Sequence, residues 1–218
     1  MPRFHLVTDD RVIGSGTFEP LATTVLDAAG AGVALHLRGP RTSGRRLHDL
    51  ATALLPAARA AGVALLVNDR VDVALAADAD GAHLGERSIP VTEARRLLPG
   101  GRWIGASCHD PAGAALASDA DFLIVGTIFA TPSHPGRPGA GPALLSGVRE
   151  RVDAPLLAIG GIGPQRVREV VAAGAHGVAV LSGVWGADDP ARAVGLYRAA
   201  LADAGRPPRR RAPREEEP

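Results

Sequence analysis

The chain has 218 residues, 46% of them hydrophobic, enough for one sizeable core, and a formal net charge of +1. That balance excludes a strongly basic nucleic-acid or membrane surface, because the one dense basic run, RPPRRRAPREEEP at 206–218, carries its own acidic residues. A single cysteine, Cys108, excludes an internal disulfide framework and any multi-cysteine zinc site, and all 24 basic residues are arginine, which excludes Schiff-base catalysis through lysine.

Taken in chain order, short apolar runs alternate with longer Ala/Leu/Val-rich segments of helical spacing. FHLV (4–7) precedes a helix expected over about 20–30, and VALHLR (33–38) precedes one at 43–61 capped by Ser43. VALLVN (63–68) is followed by a helix at 70–78, and GAHLG (81–85) by one at 90–98 that opens on Pro90. WIGAS (103–107) leads to a helix at 110–118 with Asp110 as cap and Pro111 at its first position. FLIVG (122–126) leads to one at 142–152, PLLAIGG (155–161) to one at 164–173 behind Gly163 and Pro164, and GVAVLSG (177–183) to a last helix at 189–204. Eight βα units in this length point to an α/β fold, a (β/α)8 TIM barrel, as one domain over 1–204 with a disordered charged tail at 205–218. A doubly wound open sheet would leave two or three of the units unplaced. No 18-residue apolar span and no signal-peptide pattern occurs, so the expected location is cytoplasmic.

A barrel puts its ligand at the carboxyl ends of the strands. The sequence brings Thr8 and Asp9, His36 and Arg38, Asn68 and Asp69, Gly85 to Ser88, and Ser107 and His109 to that end. Thr127, Thr131, Ser133 and His134 follow strand six, Gly160 and Gly161 strand seven, and Ser182 and Gly183 strand eight. Glycine-rich ends on strands seven and eight are where backbone N–H groups of such barrels gather around a phosphate, so Gly160, Gly161, Ser182 and Gly183 are expected to bind one.

LVTDDR, HLR, NDRVDVALAADADGAHLGE, GASCH, GTIFATPSHPG, AIGGI and GVAVLSG, in that order between about residues 4 and 200, resemble the thiamine phosphate synthase and TenI superfamily. The resemblance implies a (β/α)8 barrel that works on the thiazole phosphate half of thiamine. Synthase members join that thiazole to hydroxymethylpyrimidine diphosphate with loss of pyrophosphate, and TenI members include tautomerases that aromatise the thiazole carboxylate phosphate. It further implies a hydroxyl clamp on phosphate, matched by Thr131 and Ser133, and substrate contacts from His36, Asn68 and Ser107. Asn68 and Asp69 match the synthase segment that meets pyrimidine and metal, although Asp69 equally fits the cap of the helix beginning near Arg70. Arg137 offers a planar fork to phosphate, and glycines at 136, 139 and 141 would let that stretch close as a flap. Members usually associate, so a homo-oligomer is expected, with a phosphorylated thiazole as ligand and neither nucleic acid nor membrane as partner.

Several positions depart from the synthase pattern. Synthases carry REK after strand two, HLGQxD after strand four and TK in the strand-six loop; here those sites read RGP, HLGERS and SH. Pro40 and His134 stand in place of two lysines and Ser88 in place of the second Mg²⁺ carboxylate, with Arg87, Arg137 and Glu86 as the nearest replacements. A departing diphosphate needs metal and cations to absorb its charge, whereas a tautomerase needs only an acid and a base near neutral pKa. The first expectation is therefore a TenI-like thiazole tautomerase without a cofactor, with His134, His109 and Arg38 as catalytic residues. Tautomerases of the family place a histidine where this chain has Thr127. The alternative is a thiamine phosphate synthase using Mg²⁺ through Asp69, and the second alternative is a non-catalytic barrel that binds thiamine precursors. His83 is expected to pack inside the barrel, and Cys108 lacks the partners of a nucleophile.

Overall fold

The computed structural model describes residues 1–98, 100–117, 119–131, 136 and 138–207. The parallel strands β1 (Phe4–Val7), β2 (Val33–Leu37), β3 (Ala64–Asn68), β4 (Gly81–Leu84), β5 (Trp103–Cys108), β6 (Phe122–Val125), β7 (Leu156–Ile159) and β8 (Gly177–Val180) pair in sequence order. The ladder between β8 and β1 closes the barrel. These strands are buried almost throughout, as side chains fill the inside and helices cover the outside, which is why they read as apolar runs without alternation.

The outer layer consists of α1 (Asp10–Ile13), α2 (Phe18–Ala29), α3 (Gly44–Ala61), α4 (Val71–Ala76), α5 (Val91–Leu97), α6 (Pro111–Leu116), α7 (Ala143–Arg149), α8 (Val167–Ala172), α9 (Ser182–Trp185) and α10 (Pro190–Asp203). Expected caps form: Ser43 Oγ accepts from Arg46 N at 3.2 Å and Asp110 Oδ1 from Gly113 N at 2.7 Å. Helices α4, α6, α7 and α8 are shorter than their spacing suggests, and α8 is reached through a 3₁₀ turn at Pro164–Arg166. No helix among the described residues is long and apolar enough to cross a membrane.

Two one-turn helices, α1 and α9, correct the sequence reading. Asp9 caps α1 by accepting from Val12 N at 2.8 Å, and Asp10 then fastens the next loop through Arg41 N at 3.0 Å and Thr42 Oγ1 at 2.9 Å. At the other end, GVAVLSG is not strand to residue 183: the ladder stops at Val180, and Ser182 and Gly183 already belong to α9. The expected tail lies outside the described residues from 208 onward, and α10 ends at Asp203.

The barrel interior holds Val7, Ala34, Leu66, Ile124, Leu157 and Ala179 with Phe122 among them. Around Phe122 stand three buried histidines, His5, His36 and His83, with ring centroids 5.2, 6.1 and 5.8 Å from it. Imidazoles in so small a core require hydrogen-bond partners. His36 finds Asn68 and His83 finds Ser107 toward the mouth, and His5 pairs with His36 and with the Pro2 carbonyl at the other end. His83 Nδ1 stays buried without a hydrogen-bond partner among the described residues.

Candidate active site

At the β3–β4 corner Asp69 has φ +62°, a left-handed conformation that few non-glycine residues adopt. The residue is not a helix cap, since α4 starts from Arg70 without a side-chain cap. Instead Asp69 Oδ1 accepts from Gly85 N at 2.9 Å and from Ser88 Oγ at 2.5 Å. The carboxylate is thereby pinned at the mouth with its second oxygen clear of both donors. Arg70 turns away to Asp72 in a two-pronged pair at 2.8 and 2.6 Å, whose hydrogen bonds hold the Asp72 carboxyl below its usual range. Next to Asp69 lies a cavity of about 180 Å³ lined by Gly39, Pro40, Thr42, Leu47, Asn68, Asp69 and Arg70.

On the β1–β2 side the buried Thr8 hydroxyl accepts from Arg38 N at 2.9 Å and lies 3.1 Å from Arg38 O, which fixes the backbone carrying this rim guanidinium. His36, expected to touch substrate, is fully buried instead. Its ring nitrogens are taken by His5 at 2.7 Å and Asn68 at 3.1 Å, so it supports Asn68 from below. His83 is packed inside as expected, and burial pushes its pKa well down; its Nε2 lies 3.0 Å from Ser107 Oγ, which is the more exposed end of that pair.

After β5, His109 donates Nδ1–H to the Gly126 carbonyl at 2.5 Å, and its Nε2 lies 3.7 Å from Glu86 Oε1. Cys108 is buried and burial raises its thiol pKa, the opposite of an activated nucleophile. In the strand-six loop Thr131 is described, whereas Ser133, His134 and Arg137 lie outside the described residues. The far end of the expected flap is fastened: Ala140 N donates to Thr127 O at 2.9 Å and Gly141 N to Ile128 O at 2.8 Å.

The glycines after β7 answer to this same loop. Gly160 (φ +100°) and Gly161 (φ +62°) would place a Cβ 2.4 Å from Thr127 Cγ2 and 2.4 Å from Ala130 O, respectively. Phe129 N donates to Gly160 O at 3.0 Å, while Arg166 donates to Gly161 O at 3.1 Å and stacks 4.2 Å over the Phe129 ring. Gly183 has a different neighbour: a Cβ there would come within 2.2 Å of the Tyr197 hydroxyl. That hydroxyl donates to Ile162 O at 2.8 Å, tying α10 to the loop after Gly161, and burial pushes its pKa up to about 12. The sequence reading missed Tyr197; its only signal is that the single tyrosine falls within the last helix.

The family model for thiamine monophosphate synthase matches residues 4–184. The chain belongs to that family. Thiamine-phosphate synthase of Methanoculleus marisnigri is 44% identical over 203 residues, covering 92% of this chain and 95% of that protein. The synthase of Roseiflexus castenholzii is 42% identical over 192 residues, covering 85% and 82%. A solved thiamine phosphate pyrophosphorylase from Pyrococcus furiosus superposes with a TM-score of 0.79 at 30% identity, covering 93% of this chain and 96% of that one. These findings confirm the family and the barrel, and the names of the relatives side with the synthase branch rather than with the tautomerase expected first.

Within the thiamine monophosphate synthase family, the Mg²⁺ question turns on Asp69. Among the described residues no group of three His, Cys, Asp or Glu stands together to cage a metal. Mg²⁺ commonly needs only one or two carboxylates when substrate phosphates and water complete its shell. A pinned carboxylate with one oxygen clear of its two donors suits that role, and Ser88, in place of the second carboxylate, orients the first.

Proposed function

We propose that the protein is a thiamine-phosphate synthase, joining hydroxymethylpyrimidine diphosphate to thiazole phosphate with release of pyrophosphate. The thiazole nitrogen gives its electron pair to the pyrimidine methylene carbon, and the carbon–oxygen bond to diphosphate breaks. No proton has to move in that step, so it makes no use of a histidine base.

The observation that carries the reading is the Asp69 arrangement, a left-handed residue with two donors on one carboxylate oxygen, at the edge of a cavity in the mouth. A metal-free tautomerase has no use for it. Asp69 would hold Mg²⁺ together with the diphosphate oxygens; the ion, when bound, stabilises the charge that develops on the leaving group. Arg38, on a backbone held by Thr8, is assigned as the rim cation in a chain without lysine. The thiazole phosphate is assigned to the loops after β7 and β8, at the left-handed turn of Gly160 and Gly161 and the start of α9 at Ser182 and Gly183.

One observation favours a tautomerase instead: His109 has its Nδ1–H fixed on Gly126 O, which orients the ring for acid–base work through Nε2. Asp69→Asn separates the two readings. It should lower Mg²⁺-dependent coupling by about 10²-fold or more, in line with the loss of one charged transition-state contact. A variant that couples at the wild-type rate would remove Asp69 from the mechanism.

A further inference from the structure

A polar chain runs inside the barrel from its closed end to the mouth. The Pro2 carbonyl oxygen lies 3.3 Å from His5 Nε2, His5 Nδ1 lies 2.7 Å from His36 Nε2, and His36 Nδ1 lies 3.1 Å from the side-chain amide of Asn68 at the Oδ1 position. Both imidazoles are fully buried, and burial holds them neutral: His36 is pushed down to about 4 and His5 well below its ordinary value. Each ring therefore carries one N–H.

The rest is a matter of counting protons. A carbonyl oxygen only accepts, so the single N–H of His5 is on Nε2, facing Pro2, and its Nδ1 is bare. His36 must then spend its one N–H on His5, through Nε2. That leaves His36 Nδ1 bare, and a bare nitrogen needs a donor. The two ends of an asparagine amide are nearly the same shape, so a half-turn about χ2 exchanges them and the hydrogen bonds decide which way it points. The opposite polarity would set the lone pairs of His5 Nε2 and the Pro2 oxygen against each other across 3.3 Å.

We propose that this chain orients Asn68 with its NH₂ group on His36 and its carbonyl oxygen toward the cavity beside Asp69, so that Asn68 recognises a hydrogen-bond donor and His5 is its positioning residue. A diphosphate oxygen, which only accepts, is thereby excluded from this contact. On the synthase reading, on which the identity of the ligand alone rests, the donor is the exocyclic amine of the aminopyrimidine.

The tautomers can be read without any substrate, by long-range nitrogen–proton NMR correlation on the ¹⁵N-labelled full chain at pH 7.5. Both His5 and His36 should appear as neutral Nε2–H rings; a proton on His36 Nδ1 overturns the proposal whatever the enzyme does. Kinetics test the positioning role. His5→Phe removes the acceptor for His36, whereas His5→Gln restores an acceptor together with a donor for Pro2. With hydroxymethylpyrimidine diphosphate, the phenylalanine variant should raise KM about tenfold with kcat within about twofold, and the glutamine variant should stay near wild type, as expected for one hydrogen bond. If both variants change kcat and KM alike, His5 is only a core residue and the positioning role is refuted. Should His5→Phe not fold, the ring assignments in the unaltered chain still decide the orientation of Asn68.

Discussion

Replacing Gly183 with alanine should destabilise the protein, and removing one oxygen from Tyr197 should undo much of the damage. A Cβ at 183 would lie 2.2 Å from the Tyr197 hydroxyl, 3.0 Å from Val180 Cγ1 and 3.2 Å from Tyr197 Cζ. The hydroxyl cannot swing aside cheaply: the ring is 2% exposed, stacks on Phe4 at 5.2 Å, and donates to Ile162 O at 2.8 Å. Overpacking costs about 1–3 kcal/mol and an orphaned buried carbonyl a similar amount, offset by the roughly 1 kcal/mol that alanine gains over glycine in a helix. The net cost of Gly183→Ala is therefore about 1–5 kcal/mol. Tyr197→Phe alone should cost about 1–2 kcal/mol for the lost hydrogen bond. In the double variant the 2.2 Å clash is gone and only the 3.0 and 3.2 Å contacts remain. Its cost should fall below the sum of the single changes by about 1–3 kcal/mol, the range seen for directly contacting residues. Urea unfolding followed by far-UV circular dichroism on all four proteins measures this. Additivity within about 0.5 kcal/mol would refute the claim that Gly183 is glycine because of Tyr197.

The buried histidines should make the fold acid-sensitive. His36 stays neutral down to about 4 in the folded state but protonates near 6.5 when unfolded, so stability present above pH 6.5 declines as pH falls toward 4, by about 3 kcal/mol for this ring alone. His5 and His83 shift in the same direction, and a urea midpoint unchanged between pH 7.5 and 5 would contradict the account. Gly161→Val, at φ +62° and 2.4 Å from Ala130 O, should abolish calorimetric binding of thiazole phosphate while the barrel stays folded; wild-type affinity in this variant would remove the phosphate assignment. Ser88→Ala leaves Asp69 Oδ1 with Gly85 N alone, so the Mg²⁺ concentration for half-maximal coupling should rise about five- to tenfold, and an unchanged value would mean that Ser88 does not orient the carboxylate.

The barrel was legible because each strand is an unbroken apolar run and several helices announce their starts with Ser43, Asp110 or a proline. One-turn helices were not, since α1 and α9 are too short to show a period of 3.6 residues. The rim could be collected residue by residue from the strand ends, but depth could not. His36 and Ser107 are separated by burial alone: one ring is sealed between His5 and Asn68, while the other side chain reaches the mouth. Asp69 had two plausible roles in sequence, and its contacts to Gly85 and Ser88, with α4 starting from Arg70 without a side-chain cap, remove the helix-cap role. The weight placed on Pro40 and Ser88 as losses favoured a tautomerase, yet a synthase-named relative matches 92% of the chain at 44% identity. A charge count along the sequence does not show how a single carboxylate is held.

The most direct test is to mix the full chain with hydroxymethylpyrimidine diphosphate and thiazole phosphate and follow thiamine phosphate and pyrophosphate with and without Mg²⁺. A synthase should form the two products in equal amounts, near 1 per second or faster with Mg²⁺ and barely at all after chelation. Tight binding of thiazole phosphate with no coupling under either condition would contradict the synthase assignment and return the site to the tautomerase or to a binding protein.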